Sequence, residues 1–66
     1  MKIIINGKEE ESKEGTSLKK LLESLGFEST RVAVELNKEI VKKSKYSEII
    51  LKDGDALEIV HFVGGG

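Results

Sequence analysis

The segment "TSLKKLLESLG" (residues 16–26) has clear helical periodicity, and the rest of the fold can be inferred from it. Thr16 or Ser17 can serve as the N-cap, and Gly26 is a C-terminal stop signal. The leucines at helical spacing are Leu18, Leu21, Leu22 and Leu25. One apolar stripe has to be buried, and in so short a chain a small β-sheet is what can cover it. We therefore expect the leucines to form the core.

Before the helix, the sequence predicts a hairpin with a polar outer strand. "KIII" (residues 2–5) is a β-branched run, and Asn6-Gly7 is a strong signal for a two-residue turn, since both residues accept positive φ. "KEEES" (residues 8–12) then returns as a strand, and its charges are typical of an exposed edge. We interpret the acidic run as a solvated face rather than a docking site.

After the helix, the sequence predicts a second hairpin and a packed connection. "RVAVELNKEIV" (residues 31–41) alternates apolar and polar residues and turns at Asn37-Lys38. In the connection that follows, Tyr46 and Ile49 are expected to pack onto the core.

The last predicted strand leads into the terminal glycines. "KDGD" (residues 52–55) predicts a turn, and "ALEIVHFV" (residues 56–63) is the longest predicted strand. The fold class is therefore α+β, a mixed sheet curled around one helix, with the first and last strands parallel and side by side in its centre. We expect one domain over residues 1–63 and a flexible C-terminal glycine tail over residues 64–66.

Composition argues against several classes of function. The chain has 66 residues with 11 basic and 12 acidic side chains, so its net charge of −1 offers no field for nucleic acid or an anionic membrane. It has no cysteine, and therefore no thiol nucleophile. No apolar run approaches the roughly 20 residues that span a bilayer, and "MKIII" turns polar too soon for a signal peptide. We expect a cytoplasmic protein that is a monomer when free.

The whole pattern resembles the ubiquitin-like β-grasp family. Within that family, the strings "AVELNKEIV", "LKDGDALEIV" and "HFVGGG" resemble ThiS, the family of sulfur carriers of thiamine biosynthesis. The likeness covers essentially the whole chain, and its most specific part is the "DGD" turn followed by an alternating strand and a terminal Gly-Gly. Gly64 is one glycine more than such carriers minimally need, and it can loosen the tail without changing its chemistry.

The resemblance implies that the C-terminal carboxylate of Gly66 is the reacting group. A carboxylate is a poor acceptor for a sulfur nucleophile, and conversion to an acyl-adenylate supplies a leaving group. The implied activating partner is an E1-like adenylyltransferase (ThiF-like) that uses ATP, while the chain itself binds no cofactor and no metal. Sulfur from a persulfide donor, such as a cysteine desulfurase, displaces AMP, and the resulting thiocarboxylate serves a thiazole synthase (ThiG-like). The chain is then a protein co-substrate and not an enzyme.

Gly64 and Gly65 give Gly66 its reach. Three extended residues span at most about 10 Å, enough to enter a neighbouring active site. Glycine has no Cβ and accepts φ values closed to other residues, so the tail can follow a narrow channel. The alternative interpretation is a flexible tail without a function.

Two other functions fit the same terminus. The small subunit of molybdopterin synthase is a similar sulfur carrier, but it commonly carries prolines before the glycines and a longer body. A ubiquitin-like protein modifier would be joined to lysines through Gly66. A free-standing enzyme is disfavoured, because the sequence offers no pair of nucleophile and base.

Strand parity predicts a docking surface near the tail. If Leu57 and Ile59 face the helix, Val60 and Phe62 face outward, and Ile4 of the first strand does the same. We expect these three outward side chains to form an apolar patch at the root of the tail, where a partner would bind. The alternative is that Phe62 packs over a sheet edge.

Overall fold

A computed structural model describes residues 1–61 and shows a mixed five-stranded sheet with one α-helix. The strand order is β2-β1-β5-β3-β4, in which β1 and β5 are parallel and the other neighbours are antiparallel. The strands are β1 (Lys2–Ile5), β2 (Lys8–Glu11), β3 (Val32–Leu36), β4 (Glu39–Ile40) and β5 (Ala56–His61). The predicted α+β class and the central parallel pair are confirmed.

Both predicted hairpins form, and in each the turn residues take left-handed backbone angles. Asn6 and Gly7 have φ of 50° and 83°, and Asn37 and Lys38 have φ of 51° and 72°. Two successive positive φ values are the geometry of the tight turn whose twist matches antiparallel strands. Strand β2 is exposed along its length, as expected for a charged edge strand.

The helix α1 spans Leu18–Ser24 and begins at the expected cap. The Ser17 side-chain oxygen accepts a hydrogen bond from the Lys20 N–H at 3.1 Å, which satisfies one of the free donors of the first turn. Gly26, with φ of 85°, lies just beyond the C-terminal end, where a left-handed residue stops a helix. No helix within residues 1–61 is long and apolar enough to cross a bilayer.

The core lies between α1 and the inner face of the sheet, as the leucine spacing predicted, with one exception. Leu25 is 44% exposed, although it continues the stripe, because it is the C-terminal cap and faces a groove shared with Glu10 and Lys20. The edge strand β2 beside Leu25 carries only charged side chains, so it has no apolar side chain that could cover Leu25. The buried residues are Ile3, Leu18, Leu21, Leu22, Val32, Val34, Tyr46, Leu51, Leu57 and Ile59.

Tyr46 holds the connection between β4 and β5 against the core, as expected. Its ring is buried, and its hydroxyl donates to the Val32 carbonyl at 3.3 Å. Burial raises the pKa of the Tyr46 hydroxyl, and a backbone hydrogen bond from Val34 offsets part of that rise. Ile49, the other residue expected to pack here, is partly buried against the same core.

Candidate functional site at the end of the last strand

Strand β5 lies between β1 and β3, and its side chains alternate as the parity argument predicted. Leu57 and Ile59 are buried under α1, whereas Val60 is 56% exposed on the outer face of the sheet. Val60 lies directly opposite Ala33 of β3, near the end of the strand. The exposed position predicted for Val60 is therefore present, and its role in binding stays a prediction.

The predicted tail and its nearest aromatic anchor lie outside the described residues. These residues are Phe62, Gly64, Gly65 and Gly66. The last described residue is His61, whose exposed side chain makes a tilted ring contact with Phe27 at 5.5 Å between centroids. His61 also lies opposite Val32 of β3, so the end of the described chain is anchored to the body from two directions.

Ile4 does not lie beside Val60, so the prediction of one contiguous patch is wrong for this residue. Ile4 is 37% exposed on the outer face, as expected, but it lies opposite Ala56 at the start of β5. Val60 is four residues further along that strand, which is about 13 Å away. The reason is register: alternation fixes the face of each side chain but not the offset between two paired strands.

An acidic pair separates the two apolar positions on the outer face. Glu58 of β5 lies directly opposite Glu35 of β3, and both side chains are exposed. Ile40 of β4 lies in the same row, opposite Glu35, and is 82% exposed. Within residues 1–61, neither of these carboxylates forms an ion pair with a lysine or arginine. The face thus presents separate apolar side chains around a negatively charged centre.

Asn6 makes a contact near the end of β5 that the sequence interpretation missed. Its side-chain oxygen accepts from the Ile59 N–H at 2.8 Å, and its side-chain nitrogen donates to the Ile59 carbonyl at 3.2 Å. The sequence had assigned Asn6 only a turn role. Asn37, the matching residue of the second hairpin, accepts from the Ala56 N–H at 2.9 Å, at the opposite end of β5. An asparagine that opens a turn beside a central strand is the signal that could have suggested both contacts.

Comparison with known proteins identifies the family. The model of the ThiS family matches residues 3–66. The chain belongs to the ThiS family. Sulfur carrier protein ThiS of Bacillus subtilis (strain 168) is 49% identical over 63 residues, which are 94% of this chain and 96% of that relative. The crystal structure of the thiamine biosynthesis protein ThiS from Geobacter metallireducens matches with a TM-score of 0.85 at 35% identity, covering 100% of both chains. The fold is therefore the ubiquitin-like β-grasp of ThiS proteins.

The ThiS-like region also occurs within longer proteins. A thiazole synthase of Paramagnetospirillum magneticum is 50% identical over 66 residues, and one of Magnetococcus marinus is 46% identical over the same length. Each alignment covers 100% of this chain and 20% of the relative, so the chain spans about a fifth of the length of these curated relatives.

Proposed function

We propose that the chain is a sulfur carrier of thiamine biosynthesis, and that the C-terminal carboxylate of Gly66 carries the sulfur. The observation that supports this most is the ThiS family match over residues 3–66, which includes the terminal glycines. The sulfur carrier of Bacillus subtilis, which is 49% identical over nearly all of both chains, supports the same function.

The proposed chemistry begins with activation of the carboxylate. A Gly66 carboxylate oxygen attacks the α-phosphorus of ATP on an E1-like adenylyltransferase, pyrophosphate leaves, and an acyl-adenylate forms. The terminal sulfur of a persulfide attacks the acyl carbon, and AMP leaves. The product is an acyl disulfide that keeps the sulfur–sulfur bond of the persulfide. A thiol then attacks the donor's own sulfur, which breaks that bond, forms a disulfide with the donor and releases the thiocarboxylate. The partners supply the catalytic groups and the ATP site, and this chain supplies the carboxylate.

The part of the outer face formed by β3 and β5 is the proposed docking surface for the adenylyltransferase, and the edge strand β4 lies outside it. Val60 lies on this face close to the end of β5, and we propose that Phe62 extends the contact toward the tail. The unpaired carboxylates of Glu35 and Glu58 favour a partner with basic side chains opposite them, because complementary charge raises the rate of association. Ile4 would contact a separate part of the partner.

A thiazole synthase is the proposed sulfur acceptor. The thiazole synthases of two organisms contain a region similar to this whole chain within a fifth of their length. Proteins whose domains are joined in some organisms and separate in others commonly work together. We propose that this chain meets its thiazole synthase as a separate protein or as part of a longer one.

Intact mass spectrometry tests the proposed function. The chain is incubated with ATP, the adenylyltransferase, a cysteine desulfurase and cysteine. The expected result is a mass gain equal to the exchange of one oxygen for one sulfur. The matched control is the same chain with a C-terminal amide on Gly66, which has no carboxylate and should stay unchanged. Covalent conjugates to other proteins, without the mass gain, would instead support a modifier.

A further inference from the structure

We propose that Asn6 is a positioning residue for the C-terminal segment. Its carboxamide takes the place of a strand residue beside Ile59, and so holds the end of β5 in the sheet after β1 has turned away. The proposal rests on the proposed function in one respect, because the C-terminus is taken as the reacting group.

The main chain of β1 ends before β5 does. The two strands pair at Ile4 with Ala56 and at Ile5 with Leu57. The Asn6 N–H donates to the Leu57 carbonyl at 2.8 Å, and the positive φ of Asn6 then takes the main chain into the hairpin turn. From Ile59 onward, β5 therefore has no main-chain partner from β1.

The Asn6 side chain extends the ladder past this point. It accepts from the Ile59 N–H at 2.8 Å and donates to the Ile59 carbonyl at 3.2 Å. A carboxamide has the same donor and acceptor as a peptide group, so it satisfies both backbone atoms of Ile59 as a strand would. Both contacts are partly buried, which reduces competition from water.

The consequence concerns the position of the end of β5. Ile59 is held by Asn6 on one side, while β3 pairs with β5 on the other side as far as His61. His61 is the last residue of β5 and lies five residues before Gly66, so Asn6 and β3 together hold the end of the strand that precedes the C-terminal segment. A fixed position of the end of β5 lowers the entropy that is lost when the terminus enters a partner's active site.

Asn37 provides a matched control within the same chain. It opens the other hairpin with nearly the same φ, 51° against 50°, and it bonds to the opposite end of β5 at Ala56. Glycine accepts positive φ at both positions, so Asn6→Gly and Asn37→Gly keep the turns and remove the side-chain contacts, and the added entropy of the unfolded chain is the same in both variants. Asn6→Asp keeps the acceptor for Ile59 and loses the donor.

The experiment measures amide hydrogen exchange by NMR and the steady-state kinetics of adenylation, followed as pyrophosphate release, on the full chain. Asn6→Gly should speed exchange at Ile59 by about tenfold beyond any global change, since the Ile59 N–H loses its acceptor. It should lower kcat by about fivefold with KM little changed, because the docking face is intact and only the ordering of the terminus becomes costlier. Asn6→Asp should change both quantities in the same direction as Asn6→Gly, because its second carboxylate oxygen repels the Ile59 carbonyl. Asn37→Gly should speed exchange at Ala56 and leave kcat within about twofold.

Equal kinetic losses in Asn6→Gly and Asn37→Gly, in proportion to lost stability, would overturn the proposal, and so would an unchanged kcat in Asn6→Gly. If Asn6→Gly does not fold, Asn6→Asp carries both measurements. If the wild-type chain is not adenylated at all, the proposed function fails, and the exchange data alone test whether Asn6 positions the end of β5. Faster exchange confined to the end of β5 then supports positioning by Asn6, and faster exchange throughout the sheet overturns it.

Discussion

Replacing Val60 by serine should weaken docking on the adenylyltransferase without unfolding the chain. Val60 is 56% exposed, so it contributes little to the core of the free protein. Fully burying a valine side chain is worth about 1.5–3 kcal/mol, and the exposed 56% of Val60 can therefore contribute about 0.8–1.7 kcal/mol to binding. The expected loss is about 4-fold to 17-fold in Kd.

Isothermal titration calorimetry against the adenylyltransferase measures this loss, with thermal melts of both chains as the check on folding. Ile40→Ser is the matched control, because Ile40 is 82% exposed on the same face but lies on the edge strand β4. It removes more exposed apolar surface than Val60→Ser does, yet it should change Kd little. A larger loss of affinity in Ile40→Ser than in Val60→Ser would place the docking surface at the β4 edge and contradict the role proposed for Val60.

Three further predictions concern stability. Leu22→Ala, at a fully buried position, should lower the free energy of unfolding by about 2–5 kcal/mol in urea titrations. Leu25→Ala should lower it far less, because Leu25 is exposed. Equal effects of the two variants would show that α1 is not packed as described. The raised pKa of Tyr46 means that the folded state holds the hydroxyl proton more tightly than the unfolded state does, so stability should fall as pH rises above 10.0. Tyr46→Phe should lessen that fall in thermal melts across this pH range. An identical pH dependence in both chains would contradict the burial of the hydroxyl. Glu58→Gln should raise the urea midpoint slightly at low salt, because Glu58 lies opposite the like charge of Glu35. The gain in midpoint should shrink at high salt, which screens the two charges. A lowered midpoint would contradict the repulsion between them.

The parts of the fold that could be predicted are those set by local chemistry. Asn6-Gly7 accepts the backbone angles of a tight hairpin turn, and Ser17 caps the helix through its own side chain. Alternation along β5 assigned Leu57 to the core and Val60 to the surface correctly, because side-chain direction in a strand has a fixed period of two.

The parts that could not be predicted depend on contacts between distant segments. The offset of Ile4 from Val60 is set by how β1 and β5 align, and these strands are separated by about 50 residues of sequence. The bonds between Asn6 and Ile59 depend on the same alignment, so the asparagine looked like a turn residue alone. Leu25 continues the helical spacing, but exposure at the end of a helix depends on which strand lies beside it.

One measurement tests both proposed steps at Gly66, the receipt of sulfur and its transfer. The chain is charged with heavy-sulfur-labelled cysteine, the cysteine desulfurase, ATP and the adenylyltransferase, purified, and then given to a thiazole synthase with its other substrates. Mass spectrometry follows the intact chain and the thiazole product together. We expect the chain first to gain the labelled sulfur in place of one oxygen and then to return to its original mass as an equal amount of label appears in the thiazole. A labelled thiazole formed equally well with a chain amidated at Gly66, or a charged chain that never loses its label, would contradict it.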